Sequence, residues 1–368
     1  MKLNDNEEKV LKILEEDPFI SQQSIADKMN LSRPAIANLI SGLQTKGYIL
    51  GKPYMLKKEK YITCIGGANI DYSFKLKEDL IMETSNPVSS EISYGGVIRN
   101  IAENLVRLNE QVSLMTVVGN DVLGNRLLKD SKKLMAVFAS DAIDNYNTGS
   151  YYSVIDKSGN MNVGFADMEI NNLMDRTWVL EHRRFLNQSD WLIADANITR
   201  SGIEALIEYA VDEEKKLCLI GVSGPKMKNI PKDLLGVHLI ITNLDESQAY
   251  FNVKEKNPEK LIKLWLEKNV TQAIITYGKK GVYFGNQFMI SHQEALLVKE
   301  EDIVDVTGAG DAFSAATIYG LINEQELNEA VKLGVTSSSL TIKSNKSVNP
   351  NLSINLIKKE LKNYEKLS

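Results

Sequence analysis

The chain has 368 residues, of which 43% are hydrophobic and 25% charged, and its formal net charge is −5. These values are typical of a folded protein of two or three domains and exclude a disordered, collagen-like or coiled-coil chain. The chain has no run of about 18 apolar residues and no apolar leader segment, so we expect neither a membrane span nor a secretion signal. Cys64 and Cys218 lie in apolar runs, and we expect buried thiols in a reducing, cytoplasmic compartment.

Charge is distributed unevenly along the chain. Residues 28–60 hold seven basic side chains against one acidic, whereas residues 61–368 hold 33 Lys and Arg against 40 Asp and Glu. A basic end followed by an acidic body predicts two modules with different partners. We therefore place a first domain over residues 1–58 and a second over residues 59–368.

The first domain is predicted to consist of three short helices and a hairpin. Apolar residues at helical spacing indicate a first helix that ends at residues 17–18. A second helix is expected from Ser21. A third is expected after Ser32, a good N-cap residue followed by Pro34. Residues 47–56 are typical of a short hairpin in the position of a wing.

This layout resembles a winged helix-turn-helix, in which the third helix enters the DNA major groove. The resemblance implies DNA contacts from Ser32, Arg33 and Asn38, with nearby basic residues facing phosphates. A helical protein-interaction module with a solvated basic face is the alternative. Because helix-turn-helix domains usually work in pairs, we expect a homodimer.

From residue 61 onward, β-rich runs alternate with amphipathic helical stretches. Strands are expected at 62–65, 112–118, 191–194, 217–221, 237–242 and 273–276, and helices at 99–108, 201–211 and 258–268. Such alternation predicts a mostly parallel sheet covered by helices on both faces, with ligands at the carboxyl ends of the strands. Residues 71–94 and 148–168 turn like hairpins and predict a small antiparallel sheet that serves as a lid.

The segment from Asp305 to Asp311, DVTGAGD, precedes a helix rich in small residues. Backbone amides of Gly308, Ala309 and Gly310 at a helix N-terminus would form an anion hole for a phosphate. Asp311, in the first turn, could take the proton from an attacking hydroxyl. A helix capped by a carboxylate is the alternative, but the second Asp six residues earlier favours the functional interpretation.

Two motifs near the first strand fit the same chemistry. Gly95 and Gly96 precede a helix, where they let a ligand approach the backbone, and Asn100 offers a donor and an acceptor to a sugar hydroxyl. Asp71 follows the first strand and can accept from two vicinal hydroxyls. An Asp that closes a turn is the common alternative.

Two more motifs follow later strands. Asn243 and Glu246 place oxygen atoms three residues apart at a helix start, which suits a hydrated Mg²⁺. The turn that contains Thr276, Gly278 and Gly281 suits a nucleotide phosphate. No P-loop sequence is present, and three histidines leave little material for a His-based site.

Together these motifs resemble the ribokinase-like (PfkB) family of sugar and nucleoside kinases over residues 61–365. The resemblance implies a three-layer α/β ribokinase-like fold with a small β lid, and ATP and Mg²⁺ as cofactors. It implies that Asp311 is the general base and that Gly308–Gly310 form the anion hole. It assigns the acceptor to Asp71, Gly95, Gly96, Asn100 and Asp311, ATP to Asn243, Thr276, Gly278, Gly281 and Gly310, and Mg²⁺, through water, to Asn243 and Glu246. Asp305 matches a position that helps bind a monovalent cation, such as K⁺, in those members of the family that use such a cation.

Within this family the chain is most similar to pseudouridine kinases, which often carry an N-terminal winged helix. The segments 165–168, 195–197, 222–226 and 348–353 support that similarity. Ribose, another ribonucleoside and a fructose phosphate remain alternative acceptors, although no basic pair suited to a sugar phosphate is evident. A transcription regulator that senses a nucleoside through a kinase fold is the alternative of another class. The presence of Asp311 and of the complete anion-hole motif favours an enzyme.

Overall fold

The computed structural model describes residues 3–16, 20–49 and 61–365, which fall into two compact units. The first unit takes in residues 1–60 together with 184–188, and the second the rest of the chain. The predicted boundary between residues 58 and 59 lies outside the described residues and stays a prediction. No helix in the described part is long and apolar enough to cross a membrane.

The described residues before position 50 form three helices around a small apolar core. They are α1 (Asp5–Glu16), α2 (Gln22–Met29) and α3 (Arg33–Thr45). Ser32 caps α3 as predicted, and Ser21, where the second helix was expected to begin, caps α2. Each side chain accepts a hydrogen bond from the amide three residues later. Val10, Leu14 and Ile36 are among the fully buried core residues. The predicted wing hairpin over 47–56 falls, from residue 50 onward, outside the described residues.

The remaining helices and strands alternate along the chain, as the hydrophobic pattern predicts. The helices are α4 (Val97–Arg107), α5 (Val122–Ser131), α6 (Arg176–Glu181), α7 (Arg183–Leu186), α8 (Arg200–Asp212), α9 (Leu244–Phe251), α10 (Pro258–Leu266), α11 (Ala309–Ile322), α12 (Leu327–Thr341) and α13 (Ile354–Glu365). The strands are β1 (Tyr61–Ile65), β2 (Asn69–Leu76), β3 (Val88–Gly95), β4 (Val112–Met115), β5 (Val117–Gly119), β6 (Asp141–Ile143), β7 (Ser150–Ile155), β8 (Met161–Asp167), β9 (Ser189–Asp195), β10 (Lys216–Ile220), β11 (Val237–Asn243), β12 (Gln272–Thr276), β13 (Val282–Asn286) and β14 (Ile290–Gln293).

An eight-stranded sheet forms the centre of the larger unit, in the order β14-β13-β12-β11-β10-β9-β1-β4. The six strands from β4 to β12 in this order are parallel. β13 pairs antiparallel with β12, and β14 pairs antiparallel with β13. One face packs against α4, α11 and α12, and α8 and α10 contact the sheet as well. Both thiols, Cys64 and Cys218, are buried in this sheet.

One predicted strand, 112–118, is in fact two. The chain leaves the main sheet at the buried Thr116, because β1 ends at Ile65 opposite Met115, and the last bond between the two chain segments is that of the Gly66 amide to the Met115 carbonyl. Beyond that point β5 pairs with β6 in a separate two-stranded sheet.

The small sheet of the second unit has the order β3-β2-β7-β8, and the prediction that it is wholly antiparallel was wrong. Its two hairpins are antiparallel, but β2 and β7 pair in parallel, from Ile70 opposite Ser150 to Lys75 opposite Ile155. Both strands start from the same side, since the Ile70 amide donates to the Gly149 carbonyl at 2.9 Å. They therefore run in the same direction.

Candidate active site

Five of the predicted site residues lie together at one edge of the large sheet. Because β1, β9, β10, β11 and β12 are parallel, their carboxyl ends meet there. A cavity of about 190 Å³ at this edge is lined, among others, by Asn243, Glu246, Thr276, Gly310 and Asp311. The fold thus brings three separate sequence motifs into one cavity.

Asp311 lies half-buried in the first turn of α11. Its Oδ2 accepts a hydrogen bond from Asn100 Nδ2 at 2.8 Å, a contact between two motifs 211 residues apart. Burial raises the pKa of Asp311 to about 7 against the effect of Asn100, and the charges of Asp195, Asp71 and Glu246 raise it further. A carboxyl group with a pKa near neutrality is suited to general-base catalysis.

The helix N-terminus beside Asp311 presents free amides, but one predicted donor is engaged. The Ala309 amide donates to the Val306 carbonyl at 3.3 Å. The amides of Gly308, Gly310 and Asp311 make no hydrogen bond within the described part of the chain. These three amides, rather than those of Gly308–Gly310, are therefore available to an anion.

Gly308 and Gly310 differ in what surrounds them. Gly308 has a φ of 78°, and a Cβ there would overlap the Ser347 carbonyl. A Cβ on Gly310 would meet nothing within 4 Å. Gly308 is thus required by the turn itself, whereas Gly310 leaves open space in the cavity.

Asp71 lies in β2 and packs directly against Gly95, where any Cβ would overlap its carboxylate. Burial raises the pKa of Asp71 to about 6, opposed by the hydrogen bond from Asn69 and by the charge of Arg99. Gly96, with a φ of 100°, packs against the Gly67 carbonyl as α4 begins. These glycines bring the Asp71 carboxylate next to the helix that carries Asn100.

Asp195 and Lys226 also belong to this edge, although no sequence motif assigned them a role in the site. Asp195, at the end of β9, is fully buried and accepts hydrogen bonds from the Asn197 amide and side chain, both at 3.0 Å. Burial raises its pKa to about 6, and the charge of Lys226 opposes this. The signal available in the sequence was a polar residue directly after an apolar strand.

Asn243 and Glu246 form a reciprocal cap at the start of α9. The Glu246 amide donates to Asn243 Oδ1 at 2.8 Å, and the Asn243 amide donates to Glu246 Oε2 at 2.9 Å. Two of the predicted oxygen ligands are therefore engaged in the cap, which leaves Glu246 Oε1 for a water shell. Burial raises the pKa of Glu246. This carboxylate forms no ion pair with any described residue, so its donor set fits a hydrated cation.

The predicted nucleotide turn follows β12. The Tyr277 amide donates to the Gly281 carbonyl at 2.8 Å, and the Gly281 amide donates to the Gly278 carbonyl at 3.0 Å. These bonds close a tight turn with Thr276 at the cavity. The turn geometry agrees with the predicted shape of this motif.

Asp305 does not line the cavity. Its Oδ1 accepts a hydrogen bond from the Thr307 amide at 2.8 Å, so the exposed side chain closes its own turn. No cluster of three or more His, Cys, Asp or Glu side chains suited to a metal occurs among the residues described. The K⁺ assignment stays a prediction.

In the N-terminal unit, Ser32, Arg33 and Asn38 are exposed on α3, although the Ser32 side chain is engaged as the helix cap. Lys46, counted among the basic residues, forms an ion pair with the buried Glu7 at 2.8 Å. Lys46 is therefore less available to a phosphate than Arg33.

Two sequence families match this chain. Residues 59–354 match the pfkB family of carbohydrate kinases, and residues 3–49 match a winged helix-turn-helix DNA-binding family.

Individual relatives extend these matches. The chain is 27% identical to the pseudouridine kinase of Escherichia coli K12 over 81% of this chain and 96% of that one. It is 26% identical to an uncharacterized sugar kinase, YeiI, of the same organism over 95% and 97%. The crystal structure of a ribokinase from Thermotoga maritima superimposes with a TM-score of 0.70, 21% identity and coverage of 83% and 99%. That superposition establishes a ribokinase-like fold.

Proposed function

Since the chain belongs to the pfkB family of carbohydrate kinases and is a phosphotransferase acting on a sugar or nucleoside hydroxyl, we propose that it phosphorylates the 5′-hydroxyl of pseudouridine with ATP. The observation that carries the reaction is the placement of Asp311, hydrogen-bonded to Asn100 and adjacent to free helix amides.

The reaction is a direct, in-line transfer. The acceptor oxygen bonds to the γ-phosphorus as the bond to the β–γ bridging oxygen breaks, and ADP leaves. Asp311 takes the hydroxyl proton. The amides of Gly308, Gly310 and Asp311 stabilise the charge on the transferred group. The four-stranded sheet that carries Asp71 acts as a lid and excludes water.

Magnesium bound with ATP would neutralise phosphate charge. Glu246, through Oε1, would hold the water shell of the ion, and Asn243, whose Oδ1 is engaged in the cap, would orient that carboxylate. The buried carboxylate of Glu246, without an ion pair among the described residues, supports this assignment.

Pseudouridine as acceptor is supported by the likeness to the E. coli pseudouridine kinase and by the polar residues Asp195, Asn197 and Lys226 beside the acceptor residues. Ribose, other ribonucleosides and a fructose phosphate are the alternatives. Coupled ADP release with each acceptor, beside Asp311→Asn as a blank, tests the proposal. A higher kcat/KM for another acceptor would replace the substrate, and no turnover with any acceptor would refute the kinase.

A second function, DNA binding, is favoured by the exposed face of α3. We expect Arg33 and Asn38 to contact bases or phosphates of a duplex. Arg33→Ala with Asn38→Ala should abolish a gel shift on DNA upstream of the coding sequence and leave kinase activity unchanged. A nucleoside-dependent shift with negligible turnover would instead identify a sensor.

Dimerisation and K⁺ dependence are further parts of the proposal. The outer edges of β3 and β8 have no strand partner among the described residues, which supports pairing with a second copy. Light scattering that gives a monomer mass would exclude the dimer. Equal activity in Na⁺ and K⁺ would remove Asp305 from a cation site.

A further inference from the structure

The helix that carries Asn100 also carries a buried row of charges for which the reaction above has no use. Arg99 and Glu103 on α4 are 6% and 8% exposed. Arg99 Nη2 donates to Glu103 Oε2 at 2.8 Å, and Arg107 Nη2 donates to Glu103 Oε1 at 2.6 Å. Arg107 Nη1 also donates to the Pro350 carbonyl at 2.6 Å. Both oxygens of Glu103 are therefore occupied.

Arg99 contacts the site through Asn100. Its Nη1 donates to Asn100 Oδ1 at 3.4 Å, while Asn100 Nδ2 donates to Asp311 Oδ2 at 2.8 Å. The amide of Asn100 thus lies between a cation and a carboxylate, with its oxygen toward the first and its nitrogen toward the second. A flipped amide would direct its oxygen at Asp311 and its NH₂ at the guanidinium, two repulsive contacts.

Stability alone does not account for this arginine. Its Nε is buried without a hydrogen-bond partner, and an incompletely satisfied buried ion pair is often no more stabilising than apolar residues of similar size. The Arg99 guanidinium lies 5.3 Å from the centre of the Tyr94 ring. A long apolar side chain at this position could pack against the same ring.

We propose that Arg99 is a positioning residue of the acceptor site, which holds the Asn100 amide in the one orientation that donates to Asp311. The inference rests on the proposed kinase reaction for its kinetic consequence, but the orientation of Asn100 can be measured without turnover. Charged groups that face the Asn100–Asp311 pair are Arg99 on α4, Asp71 on β2, Asp195 on β9 and Glu246 on α9.

The test compares Arg99→Met with Arg99→Lys and with Arg107→Met, a matched control that removes the other guanidinium on Glu103. We expect Arg99→Met to lower kcat about 10- to 100-fold, the loss typical of a misplaced catalytic group, with the KM for ATP unchanged. Arg99→Lys should recover part of the loss, and Arg107→Met should keep wild-type kcat.

The pH profile gives a second kinetic readout. Because the charge of Arg99 lowers the pKa of Asp71, its removal should move the acid limb of kcat/KM to higher pH. Thermal unfolding of each variant identifies any that fail to fold. Wild-type kcat and an unchanged pH profile in a folded Arg99→Met would overturn the inference.

The side-chain amide resonances of Asn100 in ¹⁵N-labelled protein report its orientation independently of activity. They should lose protection from exchange in Arg99→Met and keep it in Arg107→Met. Unchanged protection in Arg99→Met overturns the positioning role. An inactive wild type whose amide still responds to Arg99→Met refutes the kinase proposal and leaves the positioning intact.

Discussion

On the acceptor side of the cleft, carboxylates interact with cations that the protein itself supplies: the charge of Arg99 acts on Asp71, and that of Lys226 on Asp195. On the phosphate side, Glu246 is buried, and the described charged groups that interact with it are other carboxylates, Asp245 and Asp311. The difference indicates where a ligand must bring its own positive charge. An uncharged nucleoside needs no cation to bind, whereas ATP would bind together with Mg²⁺.

The largest expected effect comes from the group that both sides share. Asp311→Asn should lower kcat by about 10² to 10⁴, the contribution of a general base, while ATP binding stays near wild type. Coupled ADP release and calorimetry with ATP measure the two quantities. Near-normal turnover would mean that Asp311 is not the base.

The phosphate side can be disturbed without replacing either of the proposed metal-binding residues. A Cβ on Gly221 would overlap the Glu246 carboxylate, whereas a Cβ on Gly224 would make an ordinary 3.4 Å contact with Ala249. Gly221→Ala should raise the Mg²⁺ concentration needed for half-maximal rate about 10-fold or more, as loss of support for metal ligands typically does. Gly224→Ala is the control.

Asn243→Ala with Glu246→Ala should shift the Mg²⁺ titration in the same direction. An identical titration in that double variant would remove both residues from the metal shell.

The pH dependence separates the shared base from the acceptor side. Because the pKa of Asp311 is raised to about 7 and that of Asp71 to about 6, kcat/KM should rise with pH and level off above about 7. A buried carboxyl group with a raised pKa also destabilises the fold as it ionises. The gain in melting temperature of Asp311→Asn over wild type should therefore be larger at pH 8 than at pH 5. A rate independent of pH between 5 and 8 would contradict both assignments.

The smallest effect lies outside the cleft. Ser32→Ala removes the cap of α3 and should cost about 1 kcal/mol of the stability of the N-terminal helices, without change in kcat or in the Mg²⁺ titration. Chemical unfolding followed by circular dichroism measures it. A kinetic change in this variant would show that the two units are coupled.

Local patterns predicted most of the elements that surround the site. Ser32 was identified as a cap because its hydrogen bond reaches only three residues along the chain. The turns at Gly95, Gly96 and Gly308 were identified because few residues other than glycine tolerate such close approach or positive φ. The break at Thr116 and the parallel pairing of β2 with β7 were missed, since each depends on a partner strand remote in sequence.

The sequence by itself determined the α/β class, the family and the types of residue at the site, because these follow from periodicity and from motifs a few residues long. Tertiary structure alone decided which atoms of those residues remain available. The Ala309 amide and the capping oxygens of Asn243 and Glu246 turned out to be engaged, and Arg99, Asp195 and Lys226 turned out to lie beside the site. Hydrogen bonds are short and directional and burial is collective, so the availability of an atom depends on neighbours that a linear motif does not contain.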